Sequence, residues 1–262
     1  MCSSNSNTRQ WLFLSWLLAG GTPAFAQTDE IQVYDGELAA PGQFTLTLHN
    51  NFTPKGRREA DFPGGVIAAH SLSGVPEFAY GVTGWFEAGA YLPVYTRTAD
   101  GHFLFDSAKL RALFAVPHAA ERKWFYGVNF ELSYNTPHWE TSRYSAEMRP
   151  IFGVHLGRMT LIVNPILDWS FDGLSNLDFS PAVRAAYTVN ERWTFSLEHY
   201  ADYGPVRHLQ ASGDLAQTAF AVVDYSHGGG GVEFGIGHGL NRAGDDLVIK
   251  LMLNHDLSSG SP

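Results

Sequence analysis

Eleven histidines, 26 acidic residues and 17 basic ones are the groups with which this 262-residue chain could do chemistry. Metal binding needs ligands at short, fixed spacing, and the sequence holds neither an HExxH nor an H-x-H pattern. Hydrolytic catalysis needs a histidine within hydrogen-bond reach of a serine or an acid. Same-face side chains on a strand recur every second residue, and no His-x-Ser or Ser-x-His occurs. The G-I-G-H-G run of Gly235, Gly237 and Gly239 shares only its glycines with a phosphate loop. No helical stretch follows it, and such glycines make room for neighbouring side chains or permit a bend. No metal, no cofactor and no enzymatic activity are expected. The chemistry left over is electrostatic. Glu87, Lys109, Arg111, Glu131, Glu147, Arg149, Asp168, Arg184, Glu198, Glu233 and Lys250 share parity, within their segments, with small or polar residues. Charges so placed could form a constriction that selects small solutes, or could brace one another across neighbouring strands.

Only β-strands can hold them that way. From Tyr126, the residues Tyr126, Val128, Phe130, Leu132 and Tyr134 take one face, and Gly127, Asn129, Glu131, Ser133 and Asn135 the other. Trp193, Phe195 and Leu197 alternate in the same way with Thr194, Ser196 and Glu198. A soluble sandwich or lipocalin-like barrel would carry a heavily charged outer face, yet only 16% of residues are charged, against roughly 25% in soluble domains. The polar face here is glycine, serine, asparagine and single charges, with aromatics clustered near strand ends. That pattern suits a membrane barrel with an apolar wall towards lipid and a polar lumen. No segment after residue 26 approaches 18 uncharged apolar residues, which excludes a transmembrane helix.

Twelve strands are expected, near 43–53, 76–83, 85–96, 108–117, 124–135, 143–156, 159–170, 177–188, 192–201, 215–225, 231–239 and 246–257. The connections alternate between long ones, as at TPKGRREADFPGGVIAAHSLSG and TADGHFLFDS, and tight ones, as at LGR and VNER. An even number of strands with long loops at one rim and short turns at the other describes an up-and-down antiparallel barrel of the bacterial outer membrane. Pro93, Pro117, Pro165 and Pro181 mark bulges or strand ends, because each removes a ladder donor.

The N-terminus has Arg9, an apolar stretch from Trp11 to Leu18, and Ala24-Phe25-Ala26 as a cleavage site, which together read as a secretory signal peptide over 1–26. Cleavage there removes Cys2, the only cysteine. A periplasmic segment is expected over 27–42, the barrel over 43–257 and a short tail over 258–262. The acidic balance, a formal charge of −9 with no basic cluster, excludes a nucleic-acid partner.

Turn positions then predict pairs. A turn near Glu121 sets Arg111 against Glu131, and one near Glu140 sets Glu131 against Arg149. Turns near Arg158 and Glu191 set Asp168 beside Arg149 and Arg184 against Glu198. Glu87, Arg111, Glu131, Glu147, Arg149, Asp168, Arg184 and Glu198 are therefore the candidate constriction, in a narrow lumen.

The stretches GQFTLTLHNNFTP, GVPEFAYGVTGWFEAGAYLPVY, KLRALFAVPH, YGVNFELSYN, IVNPILDWSFDG, SLEHYADYGP and DLVIKLMLNHDL resemble outer-membrane barrels grouped under the name MetA-pathway of phenol degradation. The resemblance runs along most of the chain after residue 26 and implies a transporter. Two functions are open at this point. One is passive passage of a small solute. The other is a non-transporting barrel, structural or displaying the loops at 53–74 and 201–216, with a lipid-modifying enzyme as a lesser alternative. Expected partners are outer-membrane lipid, the outer-membrane assembly machinery and a small-molecule solute.

Overall fold

The computed structural model describes residues 30–171, 177–211 and 215–257. Its segments are β1 (Phe44–Lys55), β2 (Leu72–Thr83), β3 (Phe86–Arg97), β4 (Phe103–Ala115), β5 (Trp124–Asn135), β6 (Tyr144–Leu156) and β7 (Met159–Asn164). They continue with β8 (Leu167–Ser170), β9 (Asp178–Phe179), β10 (Ala182–Thr188), β11 (Trp193–Asp202), β12 (Ala216–His227), β13 (Gly230–Gly239) and β14 (Leu247–Asp256). Each pairs antiparallel with its neighbours, and β1 pairs with β14 from Thr45↔Asp256 to Lys55↔Leu247, which closes the sheet. Segments β7 and β8 both pair with β6, and β9 and β10 continue one line along them. The architecture is thus a closed barrel of twelve strands, two of them interrupted.

Prolines explain the interruptions. Pro165 separates β7 from β8 and Pro181 separates β9 from β10. Pro93 lies at the register shift between Tyr91 and Val94, and Pro117 follows the end of β4. Two strands begin earlier than the sequence suggests. In β2, Ser73 and Gly74 pair with Asn51 and Asn50, and in β4, Phe103 and Phe105 pair with Arg97 and Tyr95. The presumed long loop at TADGHFLFDS therefore shrinks to 98–102, because alternating aromatics carry the ladder further. Loops such as 56–71 and 136–143 leave one rim; turns at 84–85, 157–158 and 228–229 leave the other.

The two faces separate cleanly. Leu197 is 67% exposed and Glu198 beside it 2%. Outward aromatics group at both rims. Phe44 lies 4.5 Å from Tyr80, Phe86 4.8 Å from Phe114 and Trp193 4.7 Å from Tyr225 at the turn rim. Tyr95 lies 5.1 Å from Phe103 and Tyr134 5.7 Å from Tyr144 at the loop rim. Such rings mark the two interfaces of a bilayer around an apolar band.

One expectation is corrected. Residues 30–40 do not lie ahead of the barrel as a periplasmic segment. The chain enters at the turn rim, where Gly42 N–H donates to the Gly81 carbonyl at 2.8 Å, and runs inward. Gly36 passes the Ala115, Ala119 and Ile151 side chains, and Glu30 ends beside Arg149 on the central strand β6. The sequence Q-V-Y-D-G-E-L has no strand period, so it reads as a linker. A polar lumen with buried charges nevertheless offers it partners that water would otherwise supply.

Candidate functional site: an occupied, charged lumen

All eight candidate constriction residues turn inward, because each shares parity with buried neighbours on its strand. They fall into two groups. On one wall, Arg111 binds Glu87 and lies 2.9 Å from Glu77, whose other oxygen is 2.9 Å from His49 Nε2. Glu131 accepts from Asn129 at 2.8 Å and is 3.8 Å from Lys109. Arg149 grips Glu147 through Nε at 2.7 Å and Nη2 at 3.0 Å. On the opposite wall, Arg184 bridges Glu198 at 2.8 Å, Glu233 at 2.8 Å and Asp224 at 2.6 Å. Lys250, with no exposed surface, sits 2.6 Å from both Glu198 and Glu233. Tyr200 donates to Glu198 at 2.7 Å.

The predicted pairs divide. Arg184 and Glu198 stand opposite each other and bond. Arg111 and Glu131 also stand opposite, but Arg111 turns to Glu77 and Glu87 instead. The other two pairs are corrected. Glu131 faces Glu147, and Arg149 faces Asn129, because the loop at 136–143 closes with Tyr134 against Tyr144. Asp168 likewise faces Glu147 rather than Arg149. Each error is a two-residue slip, which preserves the face and changes the partner. Parity would also have found Glu77 and Asp224, which share the inward side with Val75 and Val222.

The N-terminal segment occupies the space between these groups. Asn164 closes both backbone groups of Tyr34: its Oδ1 accepts from the Tyr34 N–H at 2.7 Å, and its Nδ2 donates to the Tyr34 carbonyl at 3.0 Å. The Tyr34 ring lies between two guanidiniums, Arg149 at 4.6 Å and Arg111 at 5.7 Å, a cation–π arrangement. Its hydroxyl bonds that of Tyr91. Arg149 donates to the Gln32 carbonyl at 3.2 Å and pairs with Glu30 at 3.4 Å. Lys250 donates to the Ile31 carbonyl at 3.2 Å, and Glu87 accepts from the Ala39 N–H at 2.5 Å. Val33 and Tyr34 join an apolar cluster with Leu113, Phe125, Ile151, Ile162, Ile166 and Ala182. No motif signals this segment.

The glycines expected to make room do so. A Cβ on Gly237 would stand 2.4 Å from the Phe220 ring, and one on Gly235 2.9 Å from the Lys250 chain.

Solved structures share this architecture. A KdgM porin matches with a TM-score of 0.55 at 7% identity, covering 82% of this chain and 99% of its own. The COG4313 outer membrane channel from Pseudomonas putida F1 matches with a TM-score of 0.55 at 10% identity, covering 87% and 100%. A NanC porin matches at 0.54 with 8% identity, covering 81% and 99%. At such identities the likeness is one of fold: a closed antiparallel barrel of twelve strands, the architecture these outer-membrane channels also have. No protein-family model matches the chain, so the narrower resemblance to the phenol-degradation group finds no support there. No curated protein sequence matches it either.

Proposed function

We propose that this protein is a passive outer-membrane channel for small polar or charged solutes, with residues 30–40 as a stopper that must shift for solute to pass. The observation that carries this is how the segment is held. It adds no strand to the barrel and is fastened by side chains of Asn164, Arg149, Lys250 and Glu87, so it can leave without opening the wall. A lumen lined with both charge signs supports polar rather than apolar cargo along the barrel axis. A second reading, a closed structural barrel that displays its loops, is favoured by the complete burial of Tyr91 and Lys250 at its centre.

Planar-bilayer recording separates the two. The full chain should open rarely, and a variant lacking residues 30–40 should conduct steadily. Silence from both would leave the structural reading standing. In the conducting variant, Arg149→Ala leaves Glu147 without its bidentate partner and should shift the reversal potential towards cation selectivity. An unchanged potential would place Arg149 outside the conduction path.

A further inference from the structure

Four carboxylates stand in one row across the inner wall. Glu131 faces Glu147, Glu147 faces Asp168, and Asp168 faces Asp178, on β5, β6, β8 and β9 in turn. Directly opposed residues share a face, and Glu131, only 2% exposed, fixes that face as the lumen. Opposed side chains start about 5 Å apart, and like charges so placed weaken the pairing of their strands. The cations of the row gather at one end. Lys109 lies 3.8 Å from Glu131, and Arg149 is held by Glu147 at 2.7 Å. Among the described residues, no lysine, arginine or histidine forms an ion pair with Asp168 or Asp178.

The surroundings lack donors as well as positive charge. Ser170, 8% exposed, follows Asp168 on the same face, and its hydroxyl has no partner among the described residues. Asn129, wholly buried two residues from Glu131, donates its Nδ2 to Glu131 and leaves Oδ1 without a donor among those residues. One oxygen of Asp178 is likewise buried and unmet. A carboxylate only accepts, so this row and its flanking acceptors call for a guest that brings both N–H groups and charge. An ammonium group has three donors and no acceptor. A bare metal ion suits the row less well, because its ligands must converge on one point. Among the described residues, no three acidic or histidine side chains do so. Asp168 and Asp178 are half-buried rather than sealed, towards the loop-rim ends of β8 and β9. Val33 of the stopper packs on Ile166 and Ala182, nearer the turn rim, so a guest could reach both acids from the loop rim.

We infer that this row is a binding site for small organic cations bearing primary ammonium groups, seated between Asp168 and Asp178 with Ser170 beside them. The site deepens the channel reading and rests on it only for onward passage, since binding from the loop rim needs no movement of the stopper. It narrows the cargo from charged solutes of either sign to amines.

Calorimetric titration of the full chain in detergent with putrescine, a linear diamine, tests it. Putrescine should bind saturably, while the diol and the dicarboxylate of the same length should not. Asp168→Asn/Asp178→Asn relieves an opposed like pair, so the barrel should survive the change. Its affinity for putrescine should fall about tenfold or more, as charge-assisted hydrogen bonds become neutral ones. No saturable binding, equal binding of the diol, or unchanged affinity in the variant would overturn the site. Should the variant fail to fold, amide shifts of the wild type in nanodiscs decide. Putrescine should move Asp168 and Asp178 more than Asp224 and Glu233 on the opposite wall; equal or reversed movement refutes the inference. The channel reading is judged separately, by the bilayer recordings. Silence there with intact putrescine binding would sink the channel and leave the site standing.

Discussion

Lys250 is the residue on which the lumen's charge balance turns. A fully buried ammonium is tolerated because two carboxylates 2.6 Å away and the Ile31 carbonyl surround it. Replacing it by methionine keeps the volume but removes one of the two cations, Arg184 and Lys250, that Glu198 and Glu233 share. Removing one partner of a buried ion pair costs about 3–5 kcal/mol, so Lys250→Met should unfold at markedly lower urea in detergent. An unchanged midpoint would mean that water reaches these carboxylates. Steric fit should show in the same assay. The Phe220 ring fills the space a side chain at 237 would need, so Gly237→Val should cost about 1–3 kcal/mol through overpacking. The inward position of such residues was legible because a strand's two faces alternate strictly. Their partners were less so: which charge meets which depends on loop geometry, and the fold of 136–143 moved Glu131 from Arg149 to Glu147.

Among the elements, the N-terminal segment is the one whose position should respond to conditions. Glu37, near its entry, has a carboxyl raised from 4.5 to about 7, first by the neighbouring Asp35 carboxylate and then by burial. Docking holds these two carboxylates in one geometry, so the docked segment binds a proton more readily than the free one, in which they can part. The docked state gains as pH falls through about 7 and loses that gain above it. Conductance should then fall on going from about pH 8 to about pH 6, and Asp35→Asn should flatten the response. A response unaffected by Asp35→Asn would assign the effect to another group. The strands were legible as elements from their period, but this segment was not. It has no period, and its contacts come from residues distant in the chain, such as Asn164, 130 positions from Tyr34.

For the whole molecule, the two rims predict sidedness. In the orientation usual for outer-membrane barrels, the long loops face outwards and the short turns inwards. Trypsin added to intact cells should cleave at Arg57 and Arg58 in the 56–71 loop and spare Arg158 and Arg192 at the turns. Cleavage at the turns first would invert that orientation. Barrel closure itself was legible from twelve alternating segments, and the interruptions at Pro165 and Pro181 from the lack of an N–H. The path of the segment has a practical corollary for handling the protein. Glu30 is buried beside Arg149, so any folded tag fused ahead of it could not share the lumen. Leu257 instead donates to Phe44 at the open turn rim, 2.8 Å away, where a fusion partner would meet no wall. A bulky N-terminal fusion would thus hold the stopper out, yielding a permanently unblocked barrel without a single substitution.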